Sequence, residues 1–331
     1  EIVSRDWSSD VCSSDLTPEQ VISGVLDGRR RAIGRAISMA ESLGPDGRQV
    51  MRALHPRGGR AIRVGVTGSP GAGKSTLSAA LVRHLRAQGS TVAIVSVDPT
   101  SPFTHGAVLG DRIRLVDHFL DDGVFIRSMA TRGHMGGLSR TTGDAALVLD
   151  AAGKSLVIIE TVGVGQDEVD IVRTADVSIV VLVPGTGDDV QALKAGIMEI
   201  ADIYVVNKCD REGAERMVTS IESNLALQSF GDGEWRPPIV KTEANTGRGV
   251  AELWQTIAAF RTHSEGARIK RLKARNEFRL RDLLTHRFME YVERDVLRTE
   301  PFEALVERIA RREVDPYTAA SDILSRALKH S

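Results

Sequence analysis

The densest chemistry in this chain lies in "GVTGSPGAGKSTL" (65–77), which contains Gly68-x-x-x-x-Gly73-Lys74-Ser75. It follows an apolar strand-like run and opens a helical one, the setting of a phosphate-binding P-loop. The loop Gly68, Ser69, Pro70, Gly71, Ala72 and Gly73 can turn backbone N–H groups inward as an anion nest, at a helix N-terminus whose dipole favours negative charge. Lys74 then reaches the β- and γ-phosphates, Ser75 ligates Mg2+ and Thr76 supports the α-phosphate. A second pattern, Asn207-Lys208-x-Asp210 in "YVVNKCD" (204–210), follows another apolar run. A carboxylate at Asp210 can accept from guanine N1 and N2, and the Lys208 stem can pack on the purine; adenine offers no such donor pair. "KTEANTGRG" (241–249) stands where a last base-contacting loop is expected, with Glu243 and Ala244 as its candidates.

Acids for a metal are Asp98, Asp111 and Glu160. Asp98 and Glu160 each close an apolar run, and Asp111 follows a glycine-containing loop. Mg2+ takes few protein ligands and keeps several waters, so some of these carboxylates are expected to act through water. In "VIIETVGVGQDEVD" (157–170) the run ends in Glu160, and Gly163 would place a backbone N–H near a γ-phosphate, so the segment can sense loss of that group. Val164 stands where small Ras-like GTPases carry the Gln that positions water, so that device is absent; Gln166 lies two residues on. Slow intrinsic hydrolysis, accelerated by a partner, follows. Arg112, Arg114 and Lys194 are the candidate cationic helpers.

These residues need a frame. Apolar strand-like runs at 62–67, 91–97, 124–127, 155–159, 177–183, 202–206 and 238–242 alternate with helical patterns at 74–87, 137–151, 188–199, 213–228 and 248–261. Continuous apolar strands separated by helices predict an α/β fold with a mainly parallel sheet covered on both faces, and functional loops at the carboxyl ends of the strands. Before the sheet, 17–60 predicts a helical prefix opened by a capping box at Thr17 and Gln20 with Pro18 between them. The P-loop domain spans 61–262. After it, 263–331 predicts helices alone, at 267–296, 301–312 and 316–329, the last started by Asp315-Pro316.

The motifs "VGVTGSPGAGKST", "VDPTSPFTHGAVLGDRIR", "RGHMGGLS", "ETVGVGQDEVD", "PGTGDDVQALKAGIMEIAD", "VVNKCD" and "VDPYTAA" together resemble the MeaB/ArgK family. The resemblance covers about 17–329. It implies a P-loop GTPase of the SIMIBI class that accompanies an adenosylcobalamin-dependent acyl-CoA mutase, chiefly methylmalonyl-CoA mutase. GTP hydrolysis would be coupled to cofactor delivery to the mutase and to its protection. The family implies a homodimer through the C-terminal helices, GTP/GDP and Mg2+ as cofactors, and an additional switch in "GTGDDVQALK" with Gln191 and Lys194 as activation candidates. "RIKRLKARNEFRLRD" (268–282) is then a dimerisation-arm helix with solvated charges. The "KTEAN" base loop, with Glu243 and Ala244, departs from the usual Ser-Ala-Lys.

Other classes fare worse. A nickel metallochaperone GTPase of the HypB/UreG type is the alternative, but it would need Cys/His ligands at a dimer interface; the eight histidines are scattered, with His105 and His134 in separate loops. A small-molecule kinase should prefer ATP and lack Asn207–Asp210. A formal net charge of −1 gives no global field for nucleic acid, no apolar run approaches the roughly 20 residues of a membrane span, and two cysteines make no disulfide framework. The expected compartment is the cytoplasm. Residues 1–16, with the repetitive "RDWSSDVCSSDL", read as translated sequencing adapter and are set aside with Cys12.

Overall fold

The computed structural model describes residues 16–42, 44–99, 118, 120–131, 137–161, 174–185, 200–297 and 302–329. Three helices open the chain: α1 (Pro18–Leu26), α2 (Arg30–Ser42) and α3 (Pro45–Leu54). The expected capping box at α1 is present, with the Thr17 hydroxyl accepting from the Gln20 N–H and the Gln20 side chain accepting from the Thr17 N–H. Each bond satisfies a backbone N–H that the first helical turn leaves open.

Seven strands follow: β1 (Ile62–Gly68), β2 (Val92–Pro99), β3 (Val124–Thr131), β4 (Leu156–Thr161), β5 (Val177–Leu182), β6 (Ile203–Asn207) and β7 (Ile239–Thr242). They form one sheet in the order β3-β2-β4-β1-β5-β6-β7, and every pairing is parallel. The helices around it are α4 (Lys74–Ala87), α5 (Gly137–Ala151), α6 (Ala214–Ala226) and α7 (Val250–His263). β4, β5 and β6 are buried along their whole length, which is why they read as unbroken apolar runs and not as alternating ones.

The period-two pleat sorts those runs onto two faces. Val64, Val66 and Ile158 pack with Leu77, Leu81 and Leu85 of α4 and with Leu253, Ile257 and Phe260 of α7. Val157 and Ile159 point the other way, into a cluster with Ile33 and Ile37 of α2, Val50 of α3 and Val148 of α5. The helical prefix is therefore part of the sheet's cover, each such buried aliphatic side chain contributing about 1.5–3 kcal/mol. α6 covers β5 and β6 through Met217, Ile221 and Leu225.

The strand entries are fixed by carboxylates. Buried Asp150, at the end of α5, accepts from the N–H groups of Gly59, Arg60 and Ala61 as the chain enters β1. Asp176 accepts from Arg63 and Asp202 from Ser178. Asp121 accepts from the Gly123 N–H and from both arms of the Arg86 guanidinium, at 2.7 and 2.8 Å. That bidentate contact holds the Asp121 carboxyl down to about 2. Burial pushes the Lys154 ammonium down beside it, and Lys154 donates to the Gly123 carbonyl.

The chain divides into two compact units, Glu1–Arg268 and Ile269–Ser331. The long helical pattern after the sheet becomes α8 (Arg268–Tyr291), which gives way to a π-helical turn, Val292–Val296. The wider turn, closed by the Leu297 N–H on the Val292 carbonyl, adds Leu297 to Val292 and Val296 in a cluster with Ala327, whereas a continued α-helix would turn Leu297 away from the other two. α9 (Phe302–Ala310) and α10 (Pro316–Lys329) complete the unit. Asp315 accepts from the N–H groups of Tyr317 and Thr318 at the start of α10, and the Thr318 hydroxyl leads the contacts that lower its pKa. β3 runs to Thr131, past the expected 127, because Ser128–Thr131 pair with Ser96–Pro99 of β2. The helical pattern at 188–199 lies outside the described residues.

Candidate nucleotide site

The residues that could handle a nucleotide collect at the carboxyl edge of the sheet, where β1, β4, β6 and β7 end. β1 runs straight into the loop through Gly68, at φ 136°. A Cβ there would run into the Val181 carbonyl of β5, so the loop can leave the sheet here only through glycine. Gly73 caps α4 in the left-handed region, at φ 85° and with no side-chain cap. A Cβ on Gly73 would meet the Asn207 amide. The first N–H groups of α4 thus face the loop without a capping oxygen, as anion binding requires.

Lys74 and Ser75, the first two residues of α4, are both buried. The Lys74 Nζ curls back to donate to the Gly68 and Ser69 carbonyls at 2.7 and 3.0 Å. An ammonium held inside the loop on carbonyl oxygens can exchange them for phosphate oxygens without moving its backbone. The Ser75 hydroxyl donates to the Glu160 carboxylate, which is 2% exposed at the end of β4. Hydroxyl and carboxylate side by side beneath a phosphate loop are hard oxygen donors, and they fit Mg2+. Pro70 and Gly71 are exposed, Ser69 and Ala72 buried, and Thr76 half-buried.

The second motif is built onto the first. Asn207, 1% exposed at the end of β6, donates through Nδ2 to the Ala72 carbonyl at 2.9 Å. Its Oδ1 accepts from the Thr242 hydroxyl at 3.1 Å and from the Ala244 N–H at 3.2 Å. One side chain therefore ties the P-loop, the end of β7 and the loop beyond it. Lys208 sits in the left-handed region at φ 55°, and its Nζ donates to the Gly71 carbonyl at 2.9 Å. A non-glycine residue there costs on the order of 1–3 kcal/mol, a strain that lays the lysine stem across the loop. Asp210 is exposed. Glu243 pairs its N–H with the Arg248 carbonyl at 3.0 Å, closing the turn that carries Ala244. Cys209 is half-buried, with its N–H on the Thr242 carbonyl.

Residues 33–296 match the family described as methylmalonyl Co-A mutase-associated GTPase MeaB. The chain belongs to the MeaB family of GTPases. It is 46% identical over 316 residues to a Pyrococcus abyssi protein named as a GTPase, covering 94% of this chain and 97% of that one. It is 37% identical to the GTPase ArgK of Escherichia coli over 75% and 77% of the two chains. It is also 29% identical to the mitochondrial methylmalonic aciduria type A homolog of Mus musculus, over 94% and 79%. Among solved structures, a LAO/AO transport system kinase superposes with a TM-score of 0.67 at 26% identity, covering 95% of this chain and 98% of that one. As a MeaB-family GTPase with a P-loop fold, the chain binds guanine nucleotide and hydrolyses GTP.

The structure brings Gly68–Thr76, Glu160, Asn207, Lys208, Asp210, Glu243 and Ala244 to one edge of the sheet. The side chain of Asp98 lies outside the described residues, although its backbone ends β2. Asp111, Arg112, Arg114, Gly163, Gln166, Gln191 and Lys194 also lie outside them, as do His105 and His134. Among the described residues no group of three or more His, Cys, Asp or Glu is placed to hold a metal ion, and no helix is long and apolar enough to cross a membrane. Sequence reasoning missed Thr242, whose hydroxyl fixes the Asn207 amide. Its one signal was a polar residue closing an apolar strand.

Proposed function

We propose that this MeaB-family GTPase serves an adenosylcobalamin-dependent acyl-CoA mutase, most specifically methylmalonyl-CoA mutase, and couples GTP hydrolysis to cofactor loading and mutase protection. The observation that carries this is the family match over 33–296, which names that mutase. The relative named for methylmalonic aciduria type A supports the same assignment.

In this reading Lys74 leaves the Gly68 and Ser69 carbonyls for the β- and γ-phosphates, while the loop N–H groups and the start of α4 hold the rest of the chain of phosphates. Ser75 and Glu160, with Asp98 and Asp111, would hold Mg2+, which would neutralise charge building on the phosphates. Asp210 accepts from guanine N1 and N2. Lys208 packs its stem on the purine while its Nζ stays tethered to the P-loop, and Glu243 and Ala244 frame the far side of the base. Gly163 reports the γ-phosphate. Val164 in place of a water-positioning Gln makes the isolated turnover slow. Gln166, Arg114 and Lys194, with Gln191, are the groups a docked mutase would bring into line.

The second compact unit serves as a homodimerisation arm. Ile269, Leu272, Leu280, Leu284 and Phe288 recur at helical spacing along α8 and are all exposed, and no residue of α8 is buried. An apolar stripe of that length on a soluble helix calls for a partner surface.

Steady-state GTP turnover, alone and with purified methylmalonyl-CoA mutase, tests the proposal. A low rate that rises at least about tenfold with the mutase is expected, given what a partner-supplied group adds in other GTPases. A rate indifferent to the mutase would redirect the search to another client.

A further inference from the structure

Two buried hydroxyls stand where the nucleotide site is rooted in the sheet. Thr67 is the residue before Gly68, and Thr161 is the residue after Glu160. Both are essentially inaccessible, at 0% and 2%. The Thr161 hydroxyl donates to that of Thr67 at 3.1 Å. The β1–β4 ladder runs from Ile62↔Leu156 to Val66↔Glu160, so the hydroxyl contact adds one more pairing beyond the last ladder pair. By the pleat, Glu160 faces Ser75 and α4, whereas Thr161 faces the opposite side with Val157 and Ile159.

Burying two hydroxyls costs free energy that their mutual bond helps to offset. Valine would fill the same volume, suit a strand as well and carry no such cost. What threonine adds is a fixed distance between the two strand ends. Beyond one end the chain enters the P-loop, and beyond the other it enters the segment containing Gly163. We propose that Thr161, acting through Thr67, is a positioning residue for GTP turnover: it keeps the Glu160 end of β4 in register with the root of the P-loop. The inference rests on the reading of Ser75 and Glu160 as groups facing the Mg2+ of the nucleotide.

The test is steady-state GTP turnover with MgCl2 for wild type, T161V, T161S, T67V and the double variant, with S75A alongside and thermal midpoints recorded. T161V and T67V should each lower kcat about tenfold, as for loss of a buried hydrogen bond, with KM for GTP within about twofold. The double variant should fall no further than either single one, because both remove the same bond. T161S should restore kcat, which a loss of packing alone would not allow. Wild-type kcat in T161V beside an impaired S75A overturns the threonine proposal alone, as do losses that multiply in the double variant. Wild-type turnover and Mg2+ requirement in S75A overturn the Ser75–Glu160 reading, and the proposal with it.

Discussion

The two edges of the sheet treat charge in opposite ways. At the amino edge, short carboxylates cap backbone N–H groups: Asp150 takes three, Asp176 and Asp202 one each, and Asp121 one together with a bidentate arginine. At the carboxyl edge, long cationic or amide side chains cap backbone carbonyls: Lys74 on Gly68 and Ser69, Lys208 on Gly71, Asn207 on Ala72. An aspartate has little reach and is locked once its N–H partners surround it. A lysine can let go of a carbonyl and take a phosphate. The amino edge is thus built to stay as it is, and the carboxyl edge to exchange partners, which is what a nucleotide cycle needs.

This contrast breaks first at Lys74. Lys74→Ala should weaken GDP and GTP binding at least about a hundredfold, because charge-assisted contacts to phosphate are lost; equilibrium titration with a fluorescent guanine nucleotide measures it. Asp150→Ala should do the reverse, costing on the order of 3 kcal/mol of folding stability, since three N–H groups lose a charged acceptor, while the GDP affinity of the folded protein holds. Chemical denaturation read beside GDP titration separates the two effects. Asp210→Asn sharpens the carboxyl-edge side: guanine preference over adenine should fall about tenfold or more, seen by competition between GTP and ATP.

The smallest effect belongs to Asp121. Its carboxyl lies near 2 in the folded chain against an ordinary 3.8, so the unfolded chain binds its proton first as pH falls. The stabilisation is therefore complete above about pH 4 and is lost between there and about pH 2. Both partners of the pair keep about a quarter of their side chains exposed, so solvent screening reduces it to about 1 kcal/mol. Asp121→Asn should lower the melting temperature at neutral pH and flatten its decline through that acid window.

Much of this was legible in the sequence, for reasons the fold makes plain. β4, β5 and β6 are buried on both faces and so apolar throughout, which made them stand out, and α4 and α5 match their expected spans residue for residue. The P-loop and Asn207–Asp210 patterns were legible as motifs because the residues of each are contiguous. What hid were pairings across the chain. Thr161 finds Thr67 from 94 positions away, and Asp150 finds Gly59 from 91; a lone threonine or aspartate carries no local sign of such a partner. The extension of β3 hid as well, because Ser128, Ala130 and Thr131 are held by β2 and not by their own propensity. The π-helical turn at Val292 is set by what Val296 and Leu297 pack against, which periodicity along α8 does not encode.

The most direct measurement is the affinity of the wild-type chain for GDP and for ADP, titrated in MgCl2 under identical conditions. One GDP site per chain is expected, with ADP bound more weakly by about a hundredfold or more, the discrimination that follows where base donors meet a built acceptor. Equal affinities would contradict it, since the Asn207–Asp210 loop, anchored on the P-loop through Ala72 and Gly71, would then not be reading the base.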